Sequence, residues 1–446
     1  MMAVQQASLF ALFAAATIFA TSRWRTDPVL ALIFCASALA AACGVSIGGA
    51  GKSFGSGFGA AAASPGLAVL AGTLVQALAA RGGALTWLGA ATRHWRARTR
   101  WAVVAMGLIA GTGASPAAAL AVSSPLAQAI GRRGAGQALC LGLAISVGQG
   151  LLLPSPVVIA SATILQADWR LVLPVGLACA LSVIAASEAV QAFFTRARAG
   201  EARAGETAFA AAPSPWSGIG FGVATLCLIV LLVVQSLGSI PSEPLGGGSA
   251  RELVLGVGRP LMLLLAGCTI MLVATRLWRA DGFGADGWAG AAMARAAPLI
   301  LLVGAACGLQ SVAQDTQMAE SLAEGLSSWR LGILVPFLAA AALKALQGSS
   351  LVAAISAAGI VQPFLTGLGL ESTDGRVVAS LAVGAGAMAG SNVNDAFFWL
   401  ACDFARLRPS QGVAWITLGT LAQGVLALLL LWLLRLSHAL ALMSNA

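Results

Sequence analysis

Apolar residues run through this chain in long stretches, each closed by a short polar or glycine- and proline-containing break. A helix that crosses a bilayer needs about 20 mostly apolar residues. By that measure the stretches near 7–22, 28–46, 63–80, 101–125, 135–165, 171–194, 217–238, 253–276, 297–313, 331–365, 376–402 and 411–437 are candidate membrane segments. Two of them, 135–165 and 331–365, are too long for one simple crossing and are expected to break or double back. The pattern predicts an all-α polytopic membrane protein with about 11–14 membrane segments.

Composition supports this class. The 446 residues are 59% hydrophobic and only 9% charged, where a soluble domain carries about 25% charged residues. Mean hydropathy is +0.90. The formal net charge of +9 does not imply nucleic acid, because the arginines lie in short loops between apolar segments. Arg23 and Arg25 occupy one such loop, and Arg93, Arg96, Arg98 and Arg100 another. This is the positive-inside pattern, which places both loops on the cytoplasmic side. Several tryptophans (Trp24, Trp101, Trp169, Trp216, Trp278) flank the segments, as an interfacial belt requires. The eight cysteines are scattered singly and read as small core residues, with neither disulfide nor zinc spacing. The first segment, followed by Arg23 and Arg25 with no small-residue cleavage pattern, reads as a retained helix.

One long polar stretch, "TRARAGEARAGETAFAAAPSPWSG" at 195–218, has the composition of a solvated linker. It suggests an N-terminal helix and loop at 1–27, a first transmembrane repeat at 28–195, the linker at 196–216 and a second repeat at 217–446. "GASPAAALAVSSP" at 113–125 resembles "GSSLVAAISAAG" at 348–359, and each is followed by a second polar interruption, "SVGQGLLLPSPVV" or "GSNVNDAFFW". Inverted repeats with discontinuous helices are a transporter architecture, and corresponding Gly or Pro interruptions mark the site near the midplane. The expected fold is therefore an inverted repeat with broken helices and re-entrant hairpins. Gly348-Ser349-Ser350 should face Gly113-Ala114-Ser115 across one cavity.

The residues that carry chemistry sit in these interruptions. Asp395 is an acid in an apolar stretch, and such residues usually face a cavity or pathway; the plain alternative is a helix N-cap. Lys344, one of two lysines, lies a turn before Gln347-Gly348-Ser349-Ser350. It reads as a fixed positive charge for an anion, or as a snorkelling side chain. Pro154 and Pro156 forbid a regular helix around Gln149 and Ser155. Thr112 and Ser115 flank the break before Pro116, where packing of small residues explains the hydroxyls equally well. Glu188 and Asp315 read as interface residues near segment ends. "GGAGKS" lacks the first glycine of a phosphate loop, since that position is Ser46, so the stretch reads as a loop or re-entrant hairpin. His94 and His438, the two histidines, have no nucleophile or metal partner nearby in sequence, which argues against catalysis and against a zinc site.

"ALKALQGSSLVAAISAAGIVQP", followed by "GSNVNDAFFWL", closely resembles the gluconate:proton symporter (gluconate permease) family of the ion-transporter superfamily. "DPVLALIFCASALAAACGVS" and "GQGLLLPSPVVIASATILQADWRLVLPVGL" fit it more loosely. The resemblance implies a multi-pass inner-membrane carrier of sugar acids or related hydroxy acids with protons, dimeric and moving like an elevator. It also marks departures. Asn392 stands where the family usually has His, Lys344 where it usually has Arg, and Gln149 and Ser155 in place of a segment with imidazoles.

The reading is a secondary active transporter for a small organic anion, a gluconate-like sugar acid or hydroxy acid, by proton symport. The alternative is an uncoupled facilitator or channel for a small organic acid. Lys344, Gln347, Gly348, Ser349, Ser350, Asn392, Asn394 and Asp395 form one half of the expected substrate site, and Gln149, Ser155 and Ser115 the other. Asp395 is the expected proton carrier, by elimination of histidine. The expected partners are substrate, proton, lipid bilayer and a second copy in a homodimer. No cofactor, metal, enzymatic activity or nucleic acid is expected.

Overall fold

The computed structural model of the chain describes residues 2–92, 96–113, 115–130, 135–197, 212–238, 248–257, 259–316 and 331–436. Every regular element among them is helical. Most of the expected linker (198–211) and both histidines lie outside the described residues.

Within the described residues, five helical spans are long and apolar enough to cross a bilayer alone: Gly136–Ile164, Trp169–Ala189, Pro215–Gln235, Ala280–Asp315 and Pro409–Leu436. A sixth is the bent pair Arg251–Val257 and Pro260–Thr275, which turns by 59°. Seven shorter apolar helices of 10–17 residues stand beside these among the described residues, several of them made where breaks divide the apolar runs. The run at 101–125 becomes Arg96–Gly111 and Pro116–Ala129. The run at 331–365 becomes Leu334–Gln347 and Ser350–Val361.

Local chemistry explains each break. Ser115, Ser155, Ser349 and Asp395 have extended backbone and accept an N–H of the helix that follows. Pro116 and Pro156 sit at the first helical position, where a missing N–H costs no hydrogen bond. Gly348 ends Leu334–Gln347 in the left-handed conformation, φ +77°. A Cβ there would lie 2.1 Å from the carbonyl oxygen of Asn394, so only glycine fits.

The glycine-rich stretch expected as a loop or hairpin is instead the helix Ile47–Ala61, capped by the Ser46 hydroxyl. Glycine disfavours a helix by about 1 kcal/mol relative to alanine in water, but lipid offers the backbone no other hydrogen-bond partner. Close packing adds to this. A Cβ on Gly57 would meet the Cys307 carbonyl oxygen of the helix Trp288–Asp315 at 2.4 Å.

The helices form two packed groups. Ile47–Ala61, Leu67–Arg81, Pro215–Gly238, Pro260–Thr275 and Trp288–Asp315 pack on one another. The second group holds the broken helices and the long helices Trp169–Ala197 and Leu418–Leu436, and its packing is reciprocal. Arg96–Gly111 lies along Ala135–Leu151 as Leu334–Gln347 lies along Thr373–Met388. Pro156–Ile164 packs on Ser350–Val361 and Thr373–Met388, while Ala396–Ala405 packs on Pro116–Ala129 and Ala135–Leu151. Where Ala135–Leu151 meets Thr373–Met388, a Cβ on Gly384 would fall 2.0 Å from the Gly150 carbonyl oxygen. Small residues of this kind let membrane helices approach closely. On the outside of Trp169–Ala197, Leu173, Leu177 and Leu181 recur every four residues and are exposed, a stripe suited to lipid.

Candidate functional site

The second-half breaks converge on one buried cluster. Lys344, in the last turn of Leu334–Gln347, is 3% exposed, and Asp395, at the head of Ala396–Ala405, is 7% exposed. Their charged atoms, Nζ and Oδ2, lie 2.6 Å apart. The ammonium also donates to the Gly348 carbonyl at 2.6 Å. Asp395 Oδ2 accepts the Ser391 hydroxyl at 2.6 Å, and Oδ1 accepts the Phe397 N–H at 3.0 Å. Asp395 is therefore a helix cap and a partner of the buried lysine at once. The two readings of this residue were never exclusive.

The two asparagines close the end of the broken helix. A helix terminus leaves its last four carbonyls without intrahelical partners. Asn392 Nδ2 donates to Ala345 O at 3.1 Å. Asn394 Nδ2 reaches Ala345 O at 3.2 Å and Leu346 O at 2.9 Å. In this conformation the amide donors serve the backbone. Asn392 Oδ1 accepts the Asn394 N–H at 3.3 Å, and Asn394, fully buried, keeps an Oδ1 with no hydrogen-bond partner.

The structure thus brings together Lys344, Gln347, Gly348, Ser349, Ser350, Asn392, Asn394 and Asp395 at two adjacent breaks. Gln347 and Ser350 are buried there, and the Ser349 hydroxyl caps Val352 N–H at 3.3 Å. The first-half residues stand at their own breaks. Ser155, fully buried, donates to the Gln149 carbonyl at 2.5 Å and accepts from Val157 N–H at 3.2 Å. Ser115 accepts from Ala118 N–H at 3.4 Å. None of the hydrogen bonds described for these three joins them to the lysine–aspartate cluster. The helices that carry the breaks meet where Gly150 packs against the Met388 side chain and the Gly384 carbonyl, and where the Ser146 hydroxyl donates to Met388 O at 3.4 Å.

Ser391 and the threonines that hold it escape the sequence reading. Ser391 binds Asp395 directly, and its own backbone is held by Thr417 and Thr420 from the last membrane helix. Its position four residues before Asp395 was the available signal. Glu188, read as an interface residue near a segment end, is buried and ion-paired with Arg100 between Trp169–Ala197 and Arg96–Gly111. Asp315 receives a hydrogen bond from Ser53.

A helical membrane protein with paired broken helices and a buried ion pair at their junction has the build of a secondary carrier. The GntP family permease profile matches residues 8–437, and the chain belongs to that family. It is a multi-pass protein of the inner membrane. The "Low-affinity gluconate transporter" of Escherichia coli K12 is 29% identical over 185 residues, 40% of this chain and 41% of that protein. The match thus spans about two fifths of that relative's length. The "Gluconate permease" of Pseudomonas aeruginosa is 25% identical over 405 residues, 87% of this chain and 88% of that one. The "D-serine transporter DsdX" of E. coli K12 is 29% identical over 133 residues, 30% of this chain and 29% of that one. The solved structure of MtrF from Neisseria gonorrhoeae covers 97% of this chain and 94% of its own at 14% identity, with a TM-score of 0.38, a likeness too distant to carry an argument.

Proposed function

We propose that this chain carries a small organic acid, a gluconate-like sugar acid or hydroxy acid, together with a proton. The observation that carries the reading is the buried Lys344–Asp395 pair at the junction of two helix breaks. An isolated charge in a low-dielectric site is strongly disfavoured, whereas this pair is neutral as a unit. An anion arriving at Lys344 would leave two negative groups around one positive one. Protonation of Asp395 removes that conflict and frees the ammonium for the substrate carboxylate. Anion and proton then bind best together, one for one, with no net change of charge in the site.

The ammonium makes two of its three hydrogen bonds within the protein, to Gly348 and Asp395, and its third N–H suits a carboxylate. The hydroxyls and amides around the breaks suit a polyhydroxylated chain, since each ligand hydroxyl both donates and accepts. Names of relatives such as gluconate permease support this substrate class. We also read residues 28–195 and 217–446 as the two inverted repeats, an assignment supported by the reciprocal packing of their broken helices. Uptake into proteoliposomes under an imposed inward proton gradient, with labelled gluconate and a panel of hydroxy acids, tests the reading. Accumulation of at least one of these acids that collapses with a protonophore is expected; equal, gradient-independent entry would instead support the facilitator.

A further inference from the structure

In carriers with broken helices, coupling cations are held by unwound carbonyls and the C-terminal ends of half-helices, where the helix dipole is negative. The end of Leu334–Gln347 is such a place. Its carbonyls are already engaged by N–H groups of the protein. Lys344 O accepts from Gly348 N at 2.8 Å, Ala345 O from both asparagine amides, and Leu346 O from Asn394. Just beyond the helix, Gly348 O accepts from the Lys344 ammonium at 2.6 Å. That ammonium sits between a backbone carbonyl and the Asp395 carboxylate, and Ser391 Oγ lies 2.6 Å from the same carboxylate oxygen. A carbonyl and a carboxylate oxygen around one monovalent cation, the latter also held by the Ser391 hydroxyl, are the hard oxygen donors that an alkali ion prefers.

We propose that the Lys344 ammonium is a tethered substitute for an alkali cation, so that the carrier needs no sodium or potassium and its transferable cation is the proton on Asp395. The inference rests on the proposed proton coupling and adds to it a reason for the choice of ion. The lysine holds the cation position permanently, and no metal ion can leave it and return with each cycle. Shortening the side chain to remove the ammonium should leave a vacancy lined by Gly348 O and Asp395 Oδ2, with Ser391 Oγ bonded to that carboxylate oxygen, that admits an alkali or ammonium ion. Asn394 Oδ1, buried in the neighbouring turn without a partner, is a further acceptor on the same break.

The test is thermal unfolding of the purified, detergent-solubilised protein in chloride salts of sodium, potassium, ammonium and choline at equal ionic strength. It uses no substrate, so it can fail independently of the transport reading. Wild-type protein should unfold at the same temperature in all four salts. Lys344→Ser should unfold at least about 2 °C higher in one of the three small cations than in choline, and Lys344→Ser/Asp395→Asn should lose that dependence. Lys344→Met, whose thioether chain refills the space, should show none. A wild-type protein stabilised by sodium or potassium over choline overturns the proposal, as does a folded Lys344→Ser that ignores every cation. Recovery of folded Lys344→Ser only when a small cation is present supports it; failure to recover it in any salt counts against it.

Discussion

Lys344 and Asp395 depend on each other because each is a buried charge whose chief compensation is the other. Removing one partner of such a pair costs about 3–5 kcal/mol, while replacing both with neutral groups costs far less. Lys344→Met should therefore lower the unfolding temperature more than Lys344→Met/Asp395→Asn does, when melts are compared in choline chloride. A double variant at least as unstable as the single one would show that the charges do not compensate each other. Ser391→Ala removes a hydroxyl donor from the Asp395 carboxylate, and a lost charged hydrogen bond is worth about 1.5–3 kcal/mol. The stability loss should vanish when Asp395 is already Asn. Much of this site was legible: an acid, two amides and a lysine stood out because their neighbours suit lipid. What could not be read was which groups they face. The asparagines bond to carbonyls 47 to 49 positions away, a pairing that exists only after two broken helices have packed.

At the scale of elements, the breaks were written in local signals. Proline at a first helical position, glycine at a helix end and serine or aspartate as a cap act within a few residues, so sequence shows them directly. The helix Ile47–Ala61 was not legible for the opposite reason. Its glycines signal a loop by propensity, and only packing against Trp288–Asp315 makes them suitable. Glycine contacts also give a test. Gly384→Ala places a methyl group against the Gly150 backbone, which cannot retreat without separating two helices; overpacking of this kind costs about 1–3 kcal/mol. Gly222→Ala, in Pro215–Gly238 with nothing within 4 Å of its added Cβ, should be neutral or gain up to about 1 kcal/mol of helix propensity. Melting the two variants side by side checks this, and equal losses would contradict the packing described.

On the scale of the whole molecule, the halves are tied across their ends as well as their breaks. Arg376, at the start of Thr373–Met388, donates to Leu165 O at 3.0 Å and so closes the end of Pro156–Ile164 in the other half. Sequence indicated two similar halves and a linker, but not that the helix after each second break packs into the opposite half. That exchange packs the helix after each second break against the broken helices of the other half, and Asp395 faces Lys344. We propose that one proton crosses with each substrate anion through this pair. This coupling is tested most directly by proteoliposomes holding a trapped pH indicator, with internal pH and labelled gluconate, or whichever acid of the panel is carried, followed together. Wild-type protein should acidify the interior by about one proton per anion taken up. Asp395→Asn should lose that acidification and all uphill accumulation, yet still exchange labelled for unlabelled substrate. Substrate-driven acidification persisting in Asp395→Asn would show that the proton does not travel on Asp395.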